Sequence, residues 1–169
     1  MTRGDARELA IHLIYGREFT GDTPLDVIRI RLEEGYYENL AAEYEIYTDR
    51  PSFKQVKNLE RIVSGVHEHE AELNEIIGKF SIGWDVKRIS RLTRCVMQLA
   101  MFEILYMDDV PAGVAISEAV RIAKKYDGDD TGAFVNGILG AFSRGLYAPV
   151  AEPAAEPVAE VAAETAEEI

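Results

Sequence analysis

The chain has 169 residues, of which 47% are hydrophobic, which is enough for one packed domain and too few for two of ordinary size. Its formal net charge is −12 at pH 7, and half of that charge comes from residues 148–169, which contain six glutamates and no lysine or arginine. The remaining residues, 1–147, carry a net charge of −6. This balance excludes a domain that binds nucleic acid through a general excess of lysine and arginine, so any RNA site must be a local patch.

Cysteine usage and hydropathy narrow the class of protein further. The single cysteine, Cys95, lies in an apolar run, which excludes an internal disulfide and predicts a buried, unreactive thiol. The first ten residues lack the apolar core of a secretion signal, and no run of about 18 apolar residues predicts a transmembrane helix. These features predict a soluble, cytoplasmic protein that does not bind membranes.

Helical periodicity dominates the first half of the chain. Asp5 and Glu8 have the spacing of a capping box, so the pattern predicts a first helix over about 5–19. Pro24 suits the first turn of a second helix. A long helix is predicted over about 51–80, because apolar residues recur there at helical spacing.

The second half predicts three more helices. Asp85 caps the first of these, which runs to about Met107 and is apolar nearly all round, as expected at the centre of a bundle. A shorter helix follows over about 111–126, and the last helix covers about 131–146. No alternating strand pattern is present, so the sequence predicts an all-α domain over 1–147.

The C-terminal tail has a different composition. Residues 148–169 are rich in alanine, glutamate, proline and valine and contain no aromatic residue. Such a segment has too little apolar surface to offset the entropy of ordering it, so it is predicted to be disordered and solvated.

No pattern of catalytic or metal-binding residues is present. His67 and His69 are two residues apart and therefore lie on different faces of a helix, so a solvated helix surface is favoured over a metal site. His12 is a lone histidine for which packing or surface exposure is favoured over catalysis. The phosphate-binding and nucleophile motifs of common enzymes are absent, so we expect no enzyme, cofactor or metal.

Glu103 is the most informative polar residue of the apolar helix. A carboxylate among apolar side chains must be paired, hydrogen-bonded or solvated. The favoured interpretation is structural, with hydrogen bonds donated by nearby helix-end amides or by Asn136. The alternative is an acid that faces a partner protein.

Phe134 and Asn136 lie in the first turns of the last helix. Free N–H groups at a helix N-terminus attract phosphate, an aromatic ring stacks on bases, and an amide hydrogen-bonds base edges. Physics alone favours the other interpretation, in which the phenylalanine is in the core and the asparagine is a buried link. Arg3 and Arg7 are four residues apart on one helix face, and Lys124 and Lys125 are further cations for an RNA patch.

The first predicted helix contains Ala6-Arg7-Glu8 followed by Ile14-Tyr15, and the second half of the chain contains, in order, LAMFEI, DDVP, VAISEAVRIAK and FVNGIL. In order and spacing, these segments resemble the NusB family of bacterial antitermination factors over about residues 5–142. The segment from Ala6 to Tyr15 is similar to the opening helix of that family.

The resemblance implies a compact bundle of about six or seven helices, built as two three-helix units. It also implies a non-enzymatic factor that binds the boxA element of ribosomal-RNA leaders together with the small-subunit ribosomal protein NusE, within an antitermination complex on RNA polymerase. By match to the family, the RNA-binding residues are Arg3, Arg7, Tyr15, Asp130, Thr131, Phe134 and Asn136.

The chain departs from the family pattern at three places that usually carry a cation. Gly4 and Asp5 stand where the family has arginines, Ala133 precedes the FVNG segment where a basic residue is common, and Gln98 replaces an arginine. Each lost phosphate contact is expected to lower the salt dependence of RNA binding by about one unit.

Two alternative functions follow from these departures and from the fold. The first is a diverged interaction module, with homodimer formation and weak or lost RNA binding. The second is an RNA-modifying enzyme, since a similar helical domain precedes some ribosomal-RNA methyltransferases; the absence of a cofactor motif makes it the weakest of the three.

Overall fold

A computed structural model of the chain describes residues 1–81, 83 and 89–147. Within these residues the protein consists of eight α-helices and one short 3-10 turn, Glu45–Tyr47, with no β-strand. This confirms the all-α prediction. The helices are α1 (Arg3–Thr20), α2 (Pro24–Arg31), α3 (Glu34–Leu40), α4 (Phe53–Glu68), α5 (Glu70–Phe80), α6 (Arg91–Tyr106), α7 (Ala112–Asp127) and α8 (Asp129–Tyr147).

Thr2 caps α1, so the prediction that Asp5 is the N-cap was wrong. The Thr2 hydroxyl accepts a hydrogen bond from the backbone N–H of Asp5 at 3.1 Å, and the Asp5 carboxylate accepts one from the backbone N–H of Thr2 at 3.1 Å. Asp5 is therefore the third helical residue of a reciprocal capping box. Glu8, the expected partner in that box, is buried instead.

The helix count exceeds the expected six or seven for two reasons. The short helix α3, in the tyrosine-rich segment after α2, was not predicted. A break at His69 also divides the predicted helix over 51–80 into α4 and α5. The His69 ring stacks on Tyr106 with 4.1 Å between ring centroids. Its Nδ1 lies 3.1 Å from Oε2 of Glu72, and these two contacts hold the side chain at the break.

The helices pack as two groups that are joined mainly through α6. Helices α1, α2 and α4 contact one another, and α6, α7 and α8 form a second group on which α5 packs. Both α1 and α4 also contact α6, in which every residue from Cys95 to Glu103 is buried. This confirms α6 as the central helix. Burial raises the pKa of the Cys95 thiol far above its ordinary value, with the Glu18 carboxylate adding to the shift, so the thiol stays protonated.

Ser90 caps α6 by accepting a hydrogen bond from the backbone N–H of Thr93. The predicted cap, Asp85, lies outside the described residues, as does the tail 148–169. None of the described helices is long and apolar enough to cross a membrane.

Candidate nucleic-acid interface

Three helix ends meet at Asp127, the last residue of α7. Its carboxylate accepts hydrogen bonds from the hydroxyls of Ser90 and Thr93, at 2.9 and 2.7 Å, at the start of α6. Its backbone carbonyl accepts a hydrogen bond from the Thr131 hydroxyl at 3.2 Å, in the first turn of α8. The starts of α6 and α8 are therefore held side by side at one end of the molecule.

The C-terminal half of α1 reaches the same end through a row of exposed side chains. Tyr15 is 36% exposed and Phe19 is 60% exposed, and their rings make an edge-to-face contact at 5.0 Å between centroids. The guanidinium carbon of Arg91, the first residue of α6, lies 5.1 Å from the centre of the Phe19 ring. Tyr15 is thus connected, through Phe19 and Arg91, to the start of α6. The start of α6 is in turn connected to Thr131 through Asp127.

The first turns of α8 contain the other four predicted residues. Asp130 and Asn136 are exposed, whereas Thr131 and Phe134 are half-buried, with Phe134 packed against the core. The interpretation of Asn136 as a buried link was therefore wrong. Asp129 and Asp130 place negative charge in the first turn, where it complements the helix dipole. These carboxylates oppose the attraction of phosphate that a bare helix N-terminus would exert.

A lysine lies across the start of α8. A Cβ atom added to Gly132 would lie 2.4 Å from Cγ of Lys124, so the glycine gives room for the lysine stem. Within residues 1–81, 83 and 89–147, no carboxylate pairs with Lys124. Lys124 therefore adds an exposed cation beside the two aspartates of α8.

Arg3 and Arg7, the two predicted RNA-binding arginines, lie in the first half of α1. Arg3 is exposed at the beginning of α1, about 18 Å from Tyr15 along the helix axis at 1.5 Å per residue. The Arg7 side chain is only 12% exposed, and its Nε donates a hydrogen bond to Oε1 of Glu103 at 2.8 Å. The described contacts do not bring Arg7 together with Phe134 and Asn136.

Glu103 has the structural role that was favoured, but its partner is Arg7 and neither of the expected donors. Its carboxylate binds neither helix-end amides nor Asn136, and at 2% exposure it does not face a partner protein. Burial raises the pKa of Glu103, although the adjacent Arg7 charge acts in the opposite direction. The Arg7 charge is therefore paired with the buried Glu103 carboxylate.

A directed chain of hydrogen bonds crosses the interior at His12 and was not predicted from the sequence. Nε2 of His12 lies 2.7 Å from the Tyr126 hydroxyl, which donates to Oε1 of Glu8 at 2.6 Å. Because a carboxylate only accepts and Tyr126 has one proton to give, Nε2 must carry the histidine proton. Nδ1 then accepts from the Tyr47 hydroxyl at 3.0 Å. Burial lowers the pKa of His12 to about 4, so the ring is neutral.

Glu8 pairs with two cations of α7, Arg121 and Lys125. Burial by itself would raise its pKa, but hydrogen bonds from Lys125 and Tyr126, with the charge of Arg121, outweigh burial and lower the pKa. Nζ of Lys125 lies 2.7 Å from Oε1 of Glu8, and Nη1 of Arg121 lies 3.5 Å from Oε2. Lys125, a candidate cation for RNA, therefore has a buried acidic partner.

Comparison with known proteins agrees with this fold. A model of the NusB family matches residues 4–144. The chain is 37% identical over 140 residues to the transcription antitermination protein NusB of Acetivibrio thermocellus, covering 83% of this chain and 87% of that protein. It is also 37% identical over 140 residues to NusB of Carboxydothermus hydrogenoformans, covering 83% and 91% of the two chains.

Solved structures of similar fold include T. maritima NusB, with a TM-score of 0.69, 28% identity and coverage of 85% of this chain and 92% of that chain. A crystal structure of the antitermination factors NusB and NusE in complex with double-stranded RNA has a TM-score of 0.65, covering 85% of this chain and 96% of that chain. At 22% identity the second likeness concerns the fold alone. On the family match and the identity to these relatives, the chain belongs to the NusB family.

Proposed function

We propose that this chain is an RNA-binding transcription antitermination factor. The proposal is supported by relatives named transcription antitermination protein NusB, to which the chain is 37% identical over 140 residues. A NusB protein of the same fold has been crystallised with NusE and RNA. The NusB family is not a family of enzymes, which confirms the prediction that the chain has no catalytic function.

The RNA in this proposal is a boxA-like single strand of a ribosomal-RNA leader, bound together with the NusE-type ribosomal protein. The complex would act on RNA polymerase in the cytoplasm. The observation that carries the proposal is that the start of α6 is linked both to Tyr15, through Arg91 and Phe19, and to Thr131, through Asp127. Aromatic and polar groups of this kind recognise single-stranded RNA by stacking and by hydrogen bonds to base edges.

RNA affinity measured at two salt concentrations, with and without the NusE-type protein, tests this function. We expect a boxA-like oligonucleotide to bind more tightly than a scrambled one of equal length, and the ribosomal protein to increase that difference. The salt dependence should be shallow, because Arg7, Arg94, Arg121 and Lys125 are paired with carboxylates. Equal affinity for the two oligonucleotides in the presence of the ribosomal protein would contradict the proposal.

A second candidate is an interaction module that binds protein, or a second copy of itself, with little RNA binding. One observation favours it: Arg7, Arg121 and Lys125 all have carboxylate partners, and residues 1–147 carry a net charge of −6. Binding of the ribosomal protein or dimerisation in solution, without any RNA affinity in the same experiment, would favour this function.

A further inference from the structure

Phe19 and Arg91 form an exposed pair that neither the fold nor the resemblance explains. Phe19 is 60% exposed, and Arg91, also exposed, lies over its ring at 5.1 Å. Single exposed apolar residues are common on protein surfaces. Here, however, the phenylalanine is joined to a second exposed ring, that of Tyr15, at 5.0 Å. The three side chains make a continuous aromatic and cationic surface.

This surface adjoins the start of α8. Arg91 immediately follows Ser90, whose hydroxyl donates to the Asp127 carboxylate at 2.9 Å. Thr131 donates to the backbone carbonyl of the same Asp127 at 3.2 Å. The pair formed by Phe19 and Arg91 is therefore linked, through Ser90 and Asp127, to the α8 segment in which RNA contacts are proposed.

The charge of Arg91 is available, unlike that of Arg94. Arg94, one turn further along α6, is paired with Glu18 at 3.2 Å. Arg91 has no carboxylate partner in the part of the chain that the structure describes, and its described contact is with the ring of Phe19. A guanidinium held over an aromatic ring keeps its N–H donors free at the edge for an anion.

We infer that Phe19 and Arg91 bind one nucleotide of the single-stranded RNA. The base stacks on the exposed aromatic and guanidinium surface, and Arg91 donates hydrogen bonds to the adjoining phosphate. Stacking on a ring or on an arginine plane is how proteins hold unpaired RNA bases. Arg91 thereby supplies a cation at this end of the molecule, where the segment before FVNG has Ala133 in place of a basic residue. This inference rests on the proposed RNA-binding function.

Substitution of the pair, with matched controls, tests the inference on the full-length protein. Phe19→Ala should weaken binding of a boxA-like oligonucleotide roughly five-fold or more. Arg91→Gln should weaken it and reduce the salt slope by about one. Arg91→Lys should keep the salt slope but lose affinity, because an ammonium does not stack as a planar guanidinium does.

The chain offers a close control at the start of α4. Phe53 is 78% exposed and lies 5.7 Å from Nζ of Lys57, which is the same kind of pair. Phe53→Ala, and Arg29→Gln on α2, should leave RNA affinity unchanged. Melting temperatures of all variants should stay close to that of the parent, since the substituted side chains are exposed.

The outcomes separate the two proposals. If the parent protein binds the oligonucleotide and both Phe19→Ala and Arg91→Gln bind equally well, the inference is wrong while the proposed function stands. If the variants lose affinity for the ribosomal protein measured without RNA, the surface contacts protein, and the inference is again wrong. If the parent protein shows no RNA affinity with or without the ribosomal protein, the proposed function fails and the inference fails with it.

Discussion

The guanidinium of Arg7 and the carboxylate of Glu103 form an ion pair of 2.8 Å that joins α1 to the central helix α6. Both side chains are largely buried, at 12% and 2% exposure. Desolvation of two charges is costly, and such a pair tolerates the loss of one partner poorly because the other charge is left without compensation. A residue that the family resemblance assigns to RNA therefore also has a structural role.

Arg7→Ala should lower the free energy of unfolding by about 3 kcal/mol, because it leaves the Glu103 carboxylate buried and unpaired. Chemical denaturation of the RNA-free protein measures the change. Arg3→Ala, which removes an exposed charge of the same helix, should change stability by less than about 0.5 kcal/mol.

A double variant shows whether charge or packing causes the loss. Arg7→Met combined with Glu103→Leu should recover most of the stability, since well-packed apolar residues often replace a buried ion pair without cost. An Arg7→Ala protein as stable as the parent would show that the pair is not coupled to folding. A loss of RNA affinity in Arg7→Ala would report a contact with RNA directly only if the variant is as stable as the parent.

Local patterns predicted the helical class, the central position of α6 and the proline-started α2, because those features depend on residues close in sequence. The partner of Glu103 could not be predicted in this way, since Arg7 is 96 residues away. The same holds for His12, whose partners Tyr47 and Tyr126 are 35 and 114 residues distant. Tertiary packing, which no local pattern encodes, brings these groups together.

The sequence likewise identified some residues of the proposed site and not others. The family motifs identified Tyr15, Asp130 and Thr131, which the structure places at one end of the molecule; their role in RNA binding stays a prediction. Phe19 and Arg91 were not identified, because a phenylalanine four residues after Tyr15 fits an apolar helix face equally well. The 60% exposure of Phe19 in the structure shows that it lies on the surface and not on the apolar face of the helix.

The neutral His12 ring should make stability depend on pH. Burial lowers its pKa from 6.5 to about 4 in the folded protein. Between those values the unfolded chain binds a proton that the folded chain does not, so the free energy of unfolding falls as the pH is lowered. The contribution of this one group is at most about 1.4 kcal/mol per pH unit.

His12→Gln is the matched control for this prediction. The glutamine amide has a donor for Tyr126 and an acceptor for Tyr47, but it does not titrate. Denaturation at pH 7 and pH 5 should therefore show a larger loss of stability for the parent than for the variant. An equal loss in both proteins would mean that groups other than His12 cause the acid sensitivity.

Gly65 is required where α4 crosses α6. A Cβ atom at this buried position would lie 2.1 Å from Cζ of Phe102. Gly65→Ala should therefore force the Phe102 ring or the helices to move, at a cost of about 1–3 kcal/mol. Gly137→Ala, at an open position of α8 with no atom within 4 Å of the added Cβ, should instead stabilise by up to about 1 kcal/mol. Thermal melts that rank the two variants in the opposite order would rule out the close contact.

The acidic tail should be dispensable for folding. Removal of residues 150–169 takes away all six glutamates that follow α8, and the segment has no aromatic residue with which to pack on the domain. Its apolar surface is too small to offset the entropy of ordering about 20 residues. We therefore expect the melting temperature of the truncated protein to be within about 1 °C of the full chain. A substitution of the six glutamates by glutamine in the full-length chain separates charge from chain length. A fall of several degrees in the truncated protein, but not in the glutamine variant, would show that the tail docks on the domain through its apolar residues.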